Sequence, residues 1–278
     1  AAALLADDVP VPQIQGLLTE INADLHRRAL QRTIDEMAAN GWGAPPVSFS
    51  LIVMGSAGRG ESALAPDQDN GFILADYGDA DRARFDAYFS ALGERFAAVL
   101  AEIGFATCRG GVMASNPQWR RRLSDWKSEI LRWIDRRAPQ QLLASDILFD
   151  FAHVGGDRAL SDALRGFITE KLATSPRFLR DLYAIESDHR VALGWFGRLR
   201  PDPDEDIATQ GMNLKMSGTL PLVEGARLLS LAAGVPATGT LARLERLAAL
   251  GRLPATEYDA LAAAYGQISL LVLRQQIA

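Results

Sequence analysis

Two short apolar runs, VSFSLIVM (47–54) and NGFILAD (70–76), flank the polar stretch GSAGRGESALAPDQD, and no other feature restricts the fold of this chain as much. The first run alternates and then becomes wholly apolar, as a buried strand does, and the second reads as its partner. A strand–turn–strand unit of this kind has to be covered, and the neighbouring segments supply helices. Upstream, Ile14, Leu17, Leu18, Ile21, Leu25, Ala29, Leu30, Ile34 and Met37 keep helical spacing until NGWGAPP ends the pattern. Downstream, Phe85, Tyr88, Phe89, Leu92, Phe96, Val99, Leu100 and Ile103 do the same over 81–103.

The spacing then predicts a third short strand at FATC (105–108) and one helix over NPQWRRRLSDWKSEILRWIDRR. In that helix Asn116 is the N-cap, Pro117 takes the first position, and Trp119, Leu123, Trp126, Ile130 and Trp133 face the core. DILFDFAHV (146–154) alternates like a strand of the same sheet, with Asp150 on one face, where an acid is costly without a partner. From Asp157 onward every periodic segment is helical: 157–172, 176–198, 219–233, 238–250 and 255–276. The fold class is α+β. The expected organisation is an N-terminal helix and linker (1–45), an α/β domain (46–155) and a helical domain (156–278), with the acidic PDPDED (201–206) as a solvated connection.

With 278 residues, 48% of them hydrophobic, the chain can bury a substantial core. A net charge of −5 argues against the broad positive footprint of a nucleic-acid binder. One thiol, Cys108, and three scattered histidines, His26, His153 and His189, make neither an intrachain disulfide nor the usual zinc site, which points to the reducing cytoplasm. No apolar run reaches the roughly 20 residues that span a bilayer, so no membrane partner is expected, and the opening AAALLADDVPVPQ lacks the pattern of a signal peptide. That opening also lacks a Met, which suggests a piece of something longer.

The chemistry concentrates at 55–69. Asp67 and Asp69 stand two residues apart at the start of a strand, where alternation points both carboxylates to one side and toward one hard cation. Mg²⁺ is held by one or two carboxylates plus substrate phosphates and waters, so an acidic pair facing an anion-binding turn has a use. Gly55 and Ser56 supply such a turn, through close backbone approach and a hydroxyl donor. A third acid, for which Asp150 is the candidate, would complete a two-metal arrangement. An isolated Asp-x-Asp is also common in ordinary turns, where Asp bonds its own backbone.

The ordered string GSAGRGESALAPDQDNGFIL resembles the signature of the DNA polymerase β-like nucleotidyltransferase superfamily, Gly-Ser followed by Asp-x-Asp. It is similar in particular to the Gly-Arg-x-Glu variant of PII uridylyltransferases and glutamine synthetase adenylyltransferases. Together with CRGGVMASNPQWRRRLSDW (108–126) and NLKMSGTLPLVEGARLLSL (213–231), it resembles the nucleotidyltransferase family often attached to CBS and cyclic-nucleotide-binding domains. The resemblance implies a mixed sheet with covering helices followed by a helical bundle. It further implies that Gly55 and Ser56 bind the triphosphate, that Asp67 and Asp69 bind Mg²⁺ (two ions with NTP, or Mn²⁺ in its place), and that Asp150 is the third acid. The activity it implies is transfer of a nucleoside monophosphate from an NTP to a hydroxyl, with a protein acceptor and a signalling role. Relatives often carry Arg and Pro after the third acid, where this chain has Ala152 and His153, so an Arg contact is missing. The corresponding alternative is a nucleotide-binding regulatory module that transfers nothing and acts with fused or partner sensor domains.

Arg59 is placed to steady phosphate charge and Glu61 to hold Arg59 or assist the metal, although a structural Arg59–Glu61 pair explains the same residues. Arg109, in CRGGVMASN ahead of a helix start, suits an anionic group, or simply marks a strand-to-helix turn. The basic run from Arg120 to Arg137 is interleaved with Asp125, Glu129 and Asp135 and reads as a solvated helix face. Cys108 reads as a small buried hydrophobe, and Lys215 and Arg227 as cations within reach of nucleotide or acceptor.

Overall fold

The computed structural model describes residues 1–62, 64–136, 139–187 and 213–277. The end of the predicted helix 176–198, His189, Arg137 and the PDPDED loop lie outside them. The chain divides into two compact units, residues 15–168 and residues 1–14 with 169–278. Its architecture is α+β: one mixed four-stranded sheet with covering helices, then a helical C-terminal part.

In the first unit, β1 (Phe49–Val53) lies at the sheet's centre and pairs antiparallel with β2 (Asn70–Leu74), Val53 opposite Asn70. On its other side runs β4 (Ala152–Gly156), also antiparallel, with Val53 opposite Ala152. A three-residue strand, β3 (Arg120–Arg122), adds parallel to β2 and gives the order β3-β2-β1-β4. Every residue of β1 and β2 is buried, as expected of strands covered on both faces.

The long helix α2 (Val11–Ala39) and α4 (Arg82–Glu102) cover one face. Leu30 and Met37 of α2 and Phe89, Leu92 and Phe96 of α4 close over Leu51, Val53, Phe72 and Leu74. Edge-to-face contacts of Phe49 with Phe72 and Phe89, centroids 5.2 and 5.4 Å apart, orient this cluster beyond simple area burial. Leu17 and Ile21 of the apolar stripe on α2 remain about half exposed.

Beyond the sheet's edge, α5 (Leu123–Arg136) buries Trp126, Ile130 and Trp133, and the Trp126 indole donates to the Phe72 carbonyl at 3.1 Å. The helix expected from Asn116 is therefore three pieces: a 3₁₀ turn (Pro117–Trp119) capped by Asn116, then β3, then α5. The triple Arg stretch adds to the sheet because β2 offers it an open parallel edge, a tertiary opportunity that local spacing does not reveal. FATC makes no strand, only a single bridge between Asp67 and Ala106. The strand expected over 146–154 is also corrected: α6 (Pro139–Phe149) runs through its first half, and β4 begins only at Ala152. Asp150 sits in the link between them. A short apolar run satisfies either period: Leu148 and Phe149 are buried at the end of α6, and Phe151 is buried in the link before β4. The helix α7 (Arg158–Ala173) follows β4.

The second unit contains α1 (Ala2–Ala6), α8 (Pro176–Glu186), a π turn (Lys215–Thr219), α9 (Leu220–Ala232), α10 (Thr240–Ala249) and α11 (Ala255–Ile277). Its core forms where Ala226 meets Leu244, Leu247 and Leu253. Among the described residues, no helix is long and apolar enough to cross a membrane.

Candidate active site

β1 ends at Val53, and after Met54 the chain turns at once into α3 (Gly55–Gly58), a single helical turn. Two glycines make that turn possible. Gly55 has φ +60°, a region that L side chains rarely occupy, and a Cβ there would stand 3.2 Å from Asp69 Oδ2. Gly58 meets a harder limit, because its Cβ would lie 1.8 Å from the Asp150 carbonyl oxygen. The turn is thus wedged between the carboxylate of Asp69 and the backbone of Asp150.

Asp67 and Asp69 reach the site on extended backbone. Between them Gln68 is fully buried, its amide donating to the carbonyls of Ala97 (3.1 Å) and Phe105 (3.0 Å). With Gln68 pinned inward, alternation sends Asp67, which is exposed, and Asp69, which is half-buried, to the opposite, open side. Asn70 fixes the neighbouring loop: its side-chain oxygen accepts from Ala114 N at 2.9 Å, and its backbone N–H donates to Val112 O at 3.0 Å.

That loop carries Cys108 to Asp69. The thiol is held above its ordinary value by burial and then by a hydrogen bond with the Asp69 carboxylate. Cys108 is half-buried, so it is not the packed hydrophobe its sequence context suggested. Arg109, the next residue, is exposed, and the loop leads into the 3₁₀ turn rather than a helix N-terminus.

Asp150 packs against Gly58 at the end of α3 and is 0% exposed. Its position is set from three directions. Arg165 clamps the link by donating to the carbonyls of Phe149 (2.8 Å) and Phe151 (2.7 Å). Gly58 packs on its carbonyl, and Arg59 Nη1 donates to its Oδ2 at 2.9 Å. Arg59 Nε meanwhile donates to Glu61 Oε2 at 2.7 Å, so one 13% exposed guanidinium joins two carboxylates. Burial alone would lower Arg59, but the charges and hydrogen bonds of Glu61 and Asp150 outweigh it and hold the group above its ordinary value. The Arg59–Glu61 pair expected from sequence is present, with Asp150 as its third member.

Asp67, Asp69 and Asp150 do not form one set of ligand atoms within 4.8 Å of one another. The structure brings Gly55 against the Asp69 carboxylate and Gly58 against the Asp150 carbonyl, with Arg59 bonded to both Asp150 and Glu61. Sequence reasoning missed Gly58, Gln68, Asn70 and Arg165; of these, only the run of glycines around Gly58 carried a local signal. Arg227, read as a cation able to reach a ligand, is 2% exposed and bonded to Glu186 at 2.9 Å within the helical unit.

Residues 1–140 match the family described as Putative nucleotidyltransferase DUF294. The chain belongs to this nucleotidyltransferase family. Residues 176–278 match a second one, described as Putative nucleotidyltransferase substrate binding domain. No curated protein matches the chain. At this level the protein is a transferase of nucleoside monophosphates, its Gly-Ser turn and Asp-x-Asp lying inside the first match and its C-terminal helices inside the second.

Proposed function

We propose that this protein is a Mg²⁺-dependent nucleotidyltransferase that moves a nucleoside monophosphate from an NTP to a hydroxyl of a protein acceptor. The observation that carries the reading is the closeness of the Gly55 turn to the Asp69 carboxylate, and alternation about the buried Gln68 would put Asp67 on the same side. The donor set fits the ion: two carboxylates on extended backbone, supported by the buried Gln68, are the hard oxygen ligands that Mg²⁺ takes together with phosphates and water. Mn²⁺ suits the same oxygens. When bound, Mg²⁺ neutralises the triphosphate and stabilises the leaving pyrophosphate.

The chain's own residues would do the rest by positioning. Ser56 and the leading amides of α3, which have no acceptors within the turn, would hold β/γ-phosphate oxygens. The acceptor oxygen would then form its bond to the α-phosphorus as the bond to the bridging oxygen breaks, pyrophosphate leaving and the proton passing to solvent. Arg109 is exposed next to Cys108 and would meet the outgoing phosphates. Asp150, bonded to Arg59 and packed against Gly58, would brace the turn, with Glu61 orienting Arg59 from its other side. The family name of 176–278 supports a role for the helical unit in holding nucleotide or acceptor. The resemblance to PII uridylyltransferases motivates the protein acceptor and a signalling role, and fused or partner CBS or cyclic-nucleotide-binding domains would then supply the signal. One free cysteine fits a reducing, cytoplasmic setting.

A second reading has its own observation. Asp150 is wholly buried against Arg59, apart from the ligand atoms of the other two acids, as it would be in a module that binds nucleotide without transferring it. Incubation with each of four α-³²P-labelled NTPs and Mg²⁺ in cell extract separates the two. Label on a protein, lost in an Asp67→Asn/Asp69→Asn variant, supports the transferase and reveals nucleotide and acceptor. NTP binding that the same variant loses, with no label transferred from any NTP, contradicts it in favour of the module.

A further inference from the structure

A second set of cations lies away from this site. Between α4 and α5, floored by β3, is a cavity of about 680 Å³, and none of Gly55, Ser56, Asp67, Asp69 or Asp150 lines it. Five guanidinium groups do: Arg82 from α4, Arg120, Arg121 and Arg122 from β3, and Arg132 from α5. Asp86 and Asp125 are the carboxylates among its lining residues.

Both acids are already engaged. Asp125 takes a two-pronged contact from Arg122, Nε at 2.8 Å and Nη2 at 3.1 Å, and Asp86 accepts from the Tyr77 hydroxyl at 3.0 Å. Burial and then that bond push Tyr77 up to about 12, so it stays a neutral donor. Arg122 is further bound to Asp79 and the Tyr77 carbonyl, and Arg121 to Glu129 and the Gln118 carbonyl. These two arginines are structural.

Arg120 is different. Its Nη1 donates to the carbonyls of Ala114 (2.6 Å) and Ser115 (3.2 Å), and among the described residues no carboxylate lies within 4 Å of it. A half-buried cation answered only by carbonyls is disfavoured, and burial accordingly lowers Arg120 from its ordinary value against a partial offset from Asp86 and Glu94. Arg82 reaches its nearest acids only at 3.4 Å, and Arg132 is half exposed at the rim beside Glu129. Three guanidinium groups from three different elements therefore face one volume with donors to spare. Guanidinium forks match phosphate oxygens two at a time, and a multiply charged ligand answers several of them at once.

We propose that this cavity is a binding site for an oligophosphate anion, either pyrophosphate or the phosphate chain of a nucleotide, separate from the candidate active site. Its volume is within the range of small-molecule sites, large enough for phosphates with or without a nucleoside.

The test is calorimetry on the full chain in EDTA, titrated with sodium pyrophosphate and, separately, with ATP. The expected result is one pyrophosphate site, equally strong in the wild type and in Asp67→Asn/Asp69→Asn, and at least tenfold weaker in Arg120→Gln and in Arg132→Gln. Because Arg120 also braces Ala114 and Ser115, the exposed Arg132 and Arg82 carry the result if Arg120→Gln melts early. ATP binding tenfold tighter than pyrophosphate would identify a nucleotide as the ligand, and equal affinity would identify the phosphate chain alone. No binding at millimolar pyrophosphate overturns the proposal. So does binding that is unchanged in Arg132→Gln and Arg82→Gln, or that disappears in Asp67→Asn/Asp69→Asn.

Discussion

Replacing Arg59 by Met keeps an aliphatic stem of similar length and removes the charge shared by Asp150 and Glu61. Asp150 is 0% exposed, and its Oδ2 lies 2.9 Å from the guanidinium, with Glu61 at 2.7 Å on the other side. At an effective dielectric of about 20, a pair of opposite charges roughly 4 Å apart is worth about 4 kcal/mol. The two pairs do not add, since the carboxylates repel each other across the same cation. Removing one partner of a buried pair costs about 3–5 kcal/mol, much of it from the charge left behind. Spread over the unit of residues 15–168, where each kcal/mol shifts the midpoint by about 2–4 °C, this corresponds to a fall of about 6–20 °C. Thermal and urea unfolding followed by tryptophan fluorescence report this unit through Trp119, Trp126 and Trp133. The paired variant Arg59→Met/Asp150→Asn should be more stable than Arg59→Met alone, because it removes one orphaned charge. A loss below about 1 kcal/mol for Arg59→Met, or a paired variant no better than the single one, would refute the reasoning.

Gly58→Ala sets a Cβ 1.8 Å from Asp150 O and 2.9 Å from Phe151 Cα, all backbone, and should cost about 3 kcal/mol in thermal unfolding, toward the upper end of overpacking. The contrasting change, Gly225→Ala, meets nothing within 4 Å inside α9 and should stabilise by up to about 1 kcal/mol in the same assay. His26, packed against Phe105 with ring centroids 4.7 Å apart, is lowered from its ordinary value by burial, against a bond to the Asn22 carbonyl, and burial together with Arg158 lowers His153 as well. Unfolding therefore releases sites that take up protons more readily, so stability is complete above about pH 6.5 and declines as pH falls below it. Melting at pH 7.5 and 5.5 should show the lower value at 5.5, with a smaller difference in His26→Leu; a higher melting point at 5.5 would contradict the burial assigned to these rings.

The sequence makes legible whatever depends on local period. The run 47–54 and its partner gave β1 and β2, and the helical spacing of 81–103 gave α4, because in each case the same residues set both the periodicity and the buried face. The two-residue spacing of Asp67 and Asp69 predicts a common side, an expectation with which the buried Gln68 between them is consistent. Failures fall where a distant partner decides. Arg120–Arg122 become a strand because β2 has an open edge, and Ile147–Phe149, an apolar run that fits either period, close a helix before β4. The Cys108–Asp69 bond, the Arg165 clamp and the Arg59–Asp150 pair join residues far apart in the chain, and no spacing rule brings them together. Gly58 was visible as a glycine, but its need for close approach to Asp150 is a property of the folded backbone.

The central claim is that Asp67, Asp69 and the Gly55–Ser56 turn form one metal–nucleotide site. Calorimetry of a non-hydrolysable NTP analogue on the full chain, with Mg²⁺ and with EDTA, and on wild type beside Asp67→Asn/Asp69→Asn, tests it without relying on turnover. The account predicts at least tenfold tighter binding with Mg²⁺ in the wild type and no such gain in the variant. Equal affinity with and without Mg²⁺, or a gain that the variant retains, would contradict it.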